Sequence, residues 1–163
     1  MTTSETLLPQ FDQEMANTRK LLECVPEEKF SWKPHEKSMT LGRLASHVAE
    51  MAEWGAMTVN TEKLELTADS KPFSATKKTE LIEKFNSNVA SAREAIAGAG
   101  DEHLTKNWSL FYMGNQMLSM PRIDVLRNVV LSHMIHHRGQ LSVYLRLLDV
   151  KIPGMYGPSA DSK

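Results

Sequence analysis

The chain has 163 residues, a formal net charge of -1 and one cysteine, with 41% hydrophobic and 24% charged residues. That length suits a single domain, 1–163, with a sizeable core. No run of Lys or Arg supplies the concentrated positive face that nucleic acid requires, and no apolar run nears the roughly 20 residues that span a bilayer. The lone Cys24 excludes an intramolecular disulfide and fits a reducing interior. Residues 1–9 carry Glu5 and lack a basic segment before a long apolar run, so no signal peptide is expected. The expected location is the cytoplasm.

The first predicted helix carries Leu8, Phe11, Met15, Thr18, Leu22 and Val25 in steps of three and four, the apolar stripe of a helix. Thr3 or Ser4 can cap it, Pro9 fits its first turn, and it should end near Cys24, before Pro26. A polar connector follows over residues 26–39, where Pro34 opposes regular helix and Phe30 and Trp32 can pin the loop to the body. The second helix starts near Thr40, capped by Ser38 or Thr40, and runs to about Val59 or Asn60. Its stripe is Leu44, His47, Val48, Met51 and Gly55. Residues 62–76 read as a loop around Pro72, with Phe73 as an anchor.

The third helix repeats Ile82, Phe85, Val89, Ala92 and Ile96. Ser74 or Thr76 can cap it, and Gly98 and Gly100 end it. Around the turn signal Gly114-Asn115, the aromatic run Trp108 to Tyr112 and the run Met117 to Met120 fit a short hairpin or an ordered loop equally. Pro121 opens the last long helix at its N1 position. The predicted inward stripe there is Leu126, Val129, Val130, His133, His137, Leu141, Tyr144 and Leu148. An irregular tail follows, frayed over its last residues, 159–163. Four amphipathic helices without a strong strand pattern predict an all-α four-helix bundle.

Three of the predicted inward positions are histidines. His133 and His137 are four residues apart, one turn above the other on one helix face. Two imidazoles so placed can grip one metal ion, and His47 from the second helix supplies a third. A buried imidazole needs partners for its ring nitrogens, and a shared metal meets that need as well as hydrogen bonds do. Three protein ligands leave coordination positions open, the pattern of catalytic rather than structural zinc. An all-imidazole set suits zinc, nickel, copper or iron. The candidate metal ligands are therefore His47, His133 and His137.

The other polar residues near them have plainer readings. His136 lies on the flank of the stripe and reads as a supporting or interface residue, with its spacing of three from His133 leaving the alternative that it replaces His137 as a ligand. His35 and His103 read as solvated surface, and Glu50 as a solvated helix charge that could otherwise orient a ligand. Arg138 reads as the partner of an acid on a neighbouring helix rather than a clamp for a substrate carboxylate. Tyr144 and the three tryptophans, Trp32, Trp54 and Trp108, fit pocket wall or core packing alike. Cys24 falls off the inward stripe and is no fourth ligand. Met134 follows His133 where a zinc protease has Glu, so the protease motif is absent.

The string His133-x-x-His136-His137-Arg138-Gly139-Gln140, with His47 upstream, resembles the DinB-like (DNA-damage-inducible, YfiT-like) metal proteins. The segment from Trp32 to His47 and the tail Pro153-Gly154-Met155-Tyr156-Gly157-Pro158-Ser159 are also similar to that family. The resemblance implies a four-helix bundle of unusual helix order, often a homodimer. It implies a divalent metal, commonly zinc or nickel, on His47, His133 and His137. It implies a small-molecule substrate: some relatives transfer low-molecular-weight thiols to electrophiles, and others are assigned as metal-dependent hydrolases. A non-enzymatic, metal-stabilised interaction protein is the alternative.

Overall fold

A computed structural model describes residues 1–162. Helix α1, Thr3–Glu23, begins one residue earlier than its predicted caps. Thr2 accepts the Glu5 backbone N–H on its hydroxyl, and Glu5 accepts the Thr2 N–H at 2.7 Å, a reciprocal capping box. Pro9 therefore lies inside the helix rather than in its first turn. Phe11, Met15, Thr18, Leu22 and Val25 are buried as predicted, together with Leu7, Leu21 and the acid Glu14. After a short 3-10 turn at Glu27–Lys29, Thr40 caps α2, Leu41–Glu50. A break follows, and α3 occupies Glu53–Asn60, so the single helix predicted over residues 40–60 is two. Gly55 lets α3 lie close against the next long helix, since a Cβ there would stand 2.9 Å from the Cβ of Ala92.

The all-α expectation is overturned by a three-stranded mixed sheet in the order β1-β2-β3. Strand β1, Lys63–Leu66, lies in the stretch predicted as loop. Helices α4, Lys78–Gly98, and α5, Asp101–Thr105, follow it. Strands β2, Asn107–Tyr112, and β3, Asn115–Pro121, form the hairpin that the aromatic run allowed. Its two-residue turn uses Met113 and Gly114 at φ 51° and 77°, the left-handed backbone that such turns require. Strand β1 pairs parallel to β2, with Lys63 opposite Ser109 and Leu66 opposite Tyr112. The chain is thus α/β, with α4 and α5 as the crossover between parallel neighbours.

The core is shared by the helices: Phe11, Leu22, Leu44, Phe85, Ile96, Leu126 and Leu141 are all buried in one cluster. Along α4 the innermost residue of the first turn is Leu81, and Ile82 is only half-buried. Glu80, rather than Ser74, organises the start of α4, accepting hydrogen bonds from Thr76 and Lys77. The last helical segment opens at Pro121, which is the N-cap and not N1. It is α-helical over Arg122–Asp124 (α6), π-helical over Val125–Ser132, and α-helical again over His133–Leu147 (α7). The π stretch closes i to i+5 turns and so shifts the phase of all that follows. Met134, Arg138, Leu141 and Leu145 face the core, while His133, His137, Tyr144 and Leu148 stand half-buried at its edge. Asp149, at φ 59°, ends the helix.

The tail is anchored where fraying was expected. Ser159 donates to the Ile152 carbonyl at 2.7 Å, and Asp161 pairs with Arg146 at 2.6 Å. Residue 163, the last of the stretch expected to fray, lies outside the described residues. Among the described residues no helix is long and apolar enough to cross a membrane.

Candidate metal centre

Helices α2 and α7 bring His47, His133 and His137 together. One ligand nitrogen from each lies within 4.8 Å of the others. The ring centroids of His47 are 4.6 Å from those of His137 and 5.4 Å from those of His133. His133 and His137 approach most closely, Nε2 to Nε2, at 2.8 Å. This is the meeting expected of residues one turn apart, brought to the edge of the core by the phase shift of the π stretch.

Each ring is held from behind. Nδ1 of His47 donates to Oε1 of Glu50 at 3.0 Å. Nδ1 of His137 donates to Oε1 of Gln140 at 2.8 Å. His133 is hydrogen-bonded to the backbone of Val129, one turn earlier. A carboxylate or carbonyl oxygen can only accept, so the bonds to Glu50 and Gln140 place the ring proton of His47 and His137 on Nδ1. Nε2 of His137 is then left to accept, and it faces Nε2 of His133 at 2.8 Å, a hydrogen bond when His133 carries its proton on that nitrogen. Facing lone pairs repel unless a proton or a cation lies between them. At metal–nitrogen bonds of about 2.1 Å, neighbouring ligands of one ion stand about 3.0 Å apart in octahedral and about 3.4 Å apart in tetrahedral geometry, so 2.8 Å is the distance of a shared proton, and a metal would spread the two rings by a few tenths of an ångström. The three imidazoles, two of them with a bonded Nδ1, form a donor set that could hold a metal ion.

Electrostatics agrees with neutral rings. Burial holds His133 below the ordinary imidazole range, and the nearby His47 and His136 add to the effect. Burial does the same for His137, against the Gln140 hydrogen bond, which favours its charged form. Burial alone would raise Glu50, but hydrogen bonds from His47, from Arg43 and from the Phe73 N–H hold it below the usual carboxylate range. Both Glu50 oxygens are engaged: Oε1 by His47 and Arg43, Oε2 by the Phe73 N–H at 2.8 Å. Glu50 is therefore a half-buried anchor that ties His47 to the linker before α4, not the solvated charge that the sequence suggests.

Beside His47 opens a cleft of about 410 Å³. Trp54 and Met57 of α3, Leu64 and Leu66 of β1, and Tyr112 of the hairpin supply its apolar walls, with Arg43 and Lys71 among its polar ones. Of the three tryptophans only Trp54 lines it. Trp108 is buried, 6.3 Å from Trp54 edge to face, and Trp32 packs against Tyr144 at 5.7 Å. Tyr144 donates to the Met39 carbonyl at 3.2 Å and so pins the connector rather than the cleft.

Other assignments divide in the same way. Exposed His136 accepts from the Gln140 amide at 3.1 Å, and the same amide group holds His137, so His136 supports the site indirectly. Arg138 faces away and pairs with Glu14 at 2.7 Å, the structural pairing that the sequence favoured. Cys24 caps α1, its thiol bonded to the Lys20 carbonyl. His35 is exposed. His103 is not solvated surface: it is half-buried, with Nε2 2.7 Å from the Val59 carbonyl. Sequence reasoning undervalued Glu50 and Gln140, although a signal was present. Both histidine-bearing helices carry the same spacing, His47-x-x-Glu50 and His137-x-x-Gln140, which sets an acceptor one turn after the imidazole.

Comparison with known proteins places this arrangement in a family. The uncharacterized protein YrdA of Bacillus subtilis (strain 168) is 28% identical over 160 residues, spanning 98% of this chain and 91% of that protein. A crystal structure of a DinB-like protein from Bacillus cereus ATCC 10987 is similar with a TM-score of 0.75 at 25% identity, over 93% of this chain and 97% of that one. A DinB-like protein from Bacillus subtilis, yjoA, shares the fold with a TM-score of 0.69 at 18% identity, over 92% and 96% of the two chains. The profile of the DinB family matches residues 1–162. A match of that extent includes every strand and helix described above, and the chain belongs to the DinB family.

Proposed function

We propose that the chain is a divalent-metal-dependent enzyme acting on small molecules, with His47, His133 and His137 as the metal ligands and zinc or nickel as the metal. The observation that carries this reading is the convergence of three imidazoles, with a ligand nitrogen each of His47, His133 and His137 within 4.8 Å of one another and Nδ1 of His47 and of His137 already bonded. A divalent cation held there would supply Lewis acidity, lowering the pKa of a bound thiol or water. The chain's own residues do the rest. Glu50 and Gln140 fix the ring orientations and thereby favour the neutral, ligating tautomer. Trp54, Leu64 and Leu66 form an apolar approach to His47, which excludes water and strengthens electrostatic interactions within it.

Transfer of a low-molecular-weight thiol to an electrophile is the reaction we favour. Both Glu50 oxygens already accept hydrogen bonds, so Glu50 is poorly placed as a general base toward either a thiol or water. A cobalt-substituted preparation tests the idea. Addition of glutathione, bacillithiol or mycothiol should change its visible spectrum, and one of these thiols should support turnover with a reactive acceptor. No spectral change and no turnover with any of the three contradicts thiol transfer. Turnover of esters, amides or phosphates instead would favour hydrolysis. By analogy with the family the working unit is a homodimer, which sedimentation at micromolar concentration would test.

A further inference from the structure

The cleft beside His47 is built for a particular kind of small molecule. Its walls come from two unrelated elements, α3 and the edge strand β1. On β1 the alternation Lys63-Leu64-Glu65-Leu66 sends Leu64 and Leu66 to one face, and both line the cleft. Trp54 lines it from α3, and Tyr112, opposite Leu66 in the sheet, lines it from the hairpin. Large rings and leucines around a space of about 410 Å³ fit one modest apolar body, not a peptide or a polymer.

The lining carries two cations and two carboxylates, Arg43 and Lys71 against Glu50 and Glu53, but both carboxylates are already paired. Arg43 pairs with Glu50 at 2.9 Å, and Glu53 pairs with Lys84 at 2.9 Å. Lys71 also lines the cleft, and no carboxylate pairs with it among the described residues. It is the cation left over. A ligand that fills the apolar space while meeting Lys71 must itself carry a negative group.

We propose that this cleft binds a small organic anion with a flat apolar body, the body against Trp54, Leu64 and Leu66 and the anionic group at Lys71. The inference deepens the function proposed above by naming a substrate class for the same site. It differs in requiring no metal, so binding can be measured on chelator-treated and metal-loaded full-length chain alike.

Isothermal titration with 3-phenylpropanoate, its primary amide, 3-phenylpropylamine and ring-free propanoate tests it. The acid should bind about twofold to fivefold more tightly than the amide, the range of an exposed ion pair, and the amine more weakly still. Propanoate should bind far more weakly than 3-phenylpropanoate. Lys71→Glu should reverse the order of acid and amine. Trp54→Ala should weaken acid and amide alike, by about threefold to tenfold, whereas Trp54→Phe should retain most of the affinity. Circular dichroism of each variant separates loss of binding from loss of fold, and Lys71→Glu is at an exposed position where folding is not at risk. Equal binding of acid and amine overturns the proposal, as does an acid preference that survives Lys71→Glu. Selective binding by a chain that takes up no metal refutes the metal reading alone. Metal uptake without selectivity refutes this inference alone.

Discussion

His137 and Arg138 are neighbours in sequence, yet they belong to two polar clusters of opposite kind. Arg138 reaches into the core, where it pairs with Glu14 at 2.7 Å and donates to the Glu14 carbonyl and the Thr18 hydroxyl. Tyr156 of the tail joins them, donating to Glu14 at 2.7 Å and accepting from Arg138. Every group in that cluster has found a partner inside the protein. His137 points the other way, toward His133 and His47. There Nδ1 of His47 and of His137 are bonded to Glu50 and Gln140, and the remaining ring nitrogens converge with those of His133. The contrast separates two uses of polar groups: a closed network fixes the fold, while three converging imidazoles could hold a metal ion.

Variants can break this contrast from either side. The largest expected effect is on metal uptake: His133→Ala or His137→Ala should abolish stoichiometric binding in equilibrium dialysis, with the fold retained by circular dichroism. Arg138→Ala should do the reverse. Removing one partner of a buried pair costs about 3–5 kcal/mol, so urea unfolding should show a loss of that size while metal stoichiometry is unchanged. A metal-free Arg138→Ala protein that is otherwise stable would merge the two clusters and refute the distinction. Next in size is Glu50→Ala, where loss of the partner behind a ligating histidine should weaken metal affinity about tenfold to a hundredfold, with Glu50→Gln less affected. His136→Ala should change affinity by less than about threefold, since that ring touches the site only through Gln140.

Acid should expose the histidine cluster without any mutation. Burial depresses His133 and His137 in the folded chain, so below about pH 6.5 the unfolded chain takes up protons that the folded one resists. Stability that is full above that pH is then lost as the pH falls toward the folded values. Melting of chelator-treated protein should therefore decline from about pH 6.5 downward. His133→Ala should flatten the decline.

Much of this was legible in the sequence, and the reasons for the rest are physical. The stripes of α1 and α4 showed because long amphipathic helices repeat many times. The three histidines showed because they stand on such stripes, and the structure does bring them together. Strand β1 did not show, since four residues give only two turns of alternation and the residues around it read as loop. Without it the parallel pairing to β2 could not be foreseen, and the all-α expectation followed. The π stretch over Val125–Ser132 was equally silent. It moved Arg138 into the core and the histidines to its edge, a rotation that no 3.6-residue pattern encodes. Glu14 was hidden for a related reason: one acid among the polar residues of α1 looks solvated until the arginine it meets, 124 residues away, is placed.

The central claim is that the histidine cluster binds a metal, and elemental analysis of the chain purified without a histidine tag tests it most directly. The account predicts roughly one divalent ion per chain, most of it lost in His137→Ala. Less than about one tenth of an ion per chain, in protein that is folded and was never exposed to chelator, would contradict it.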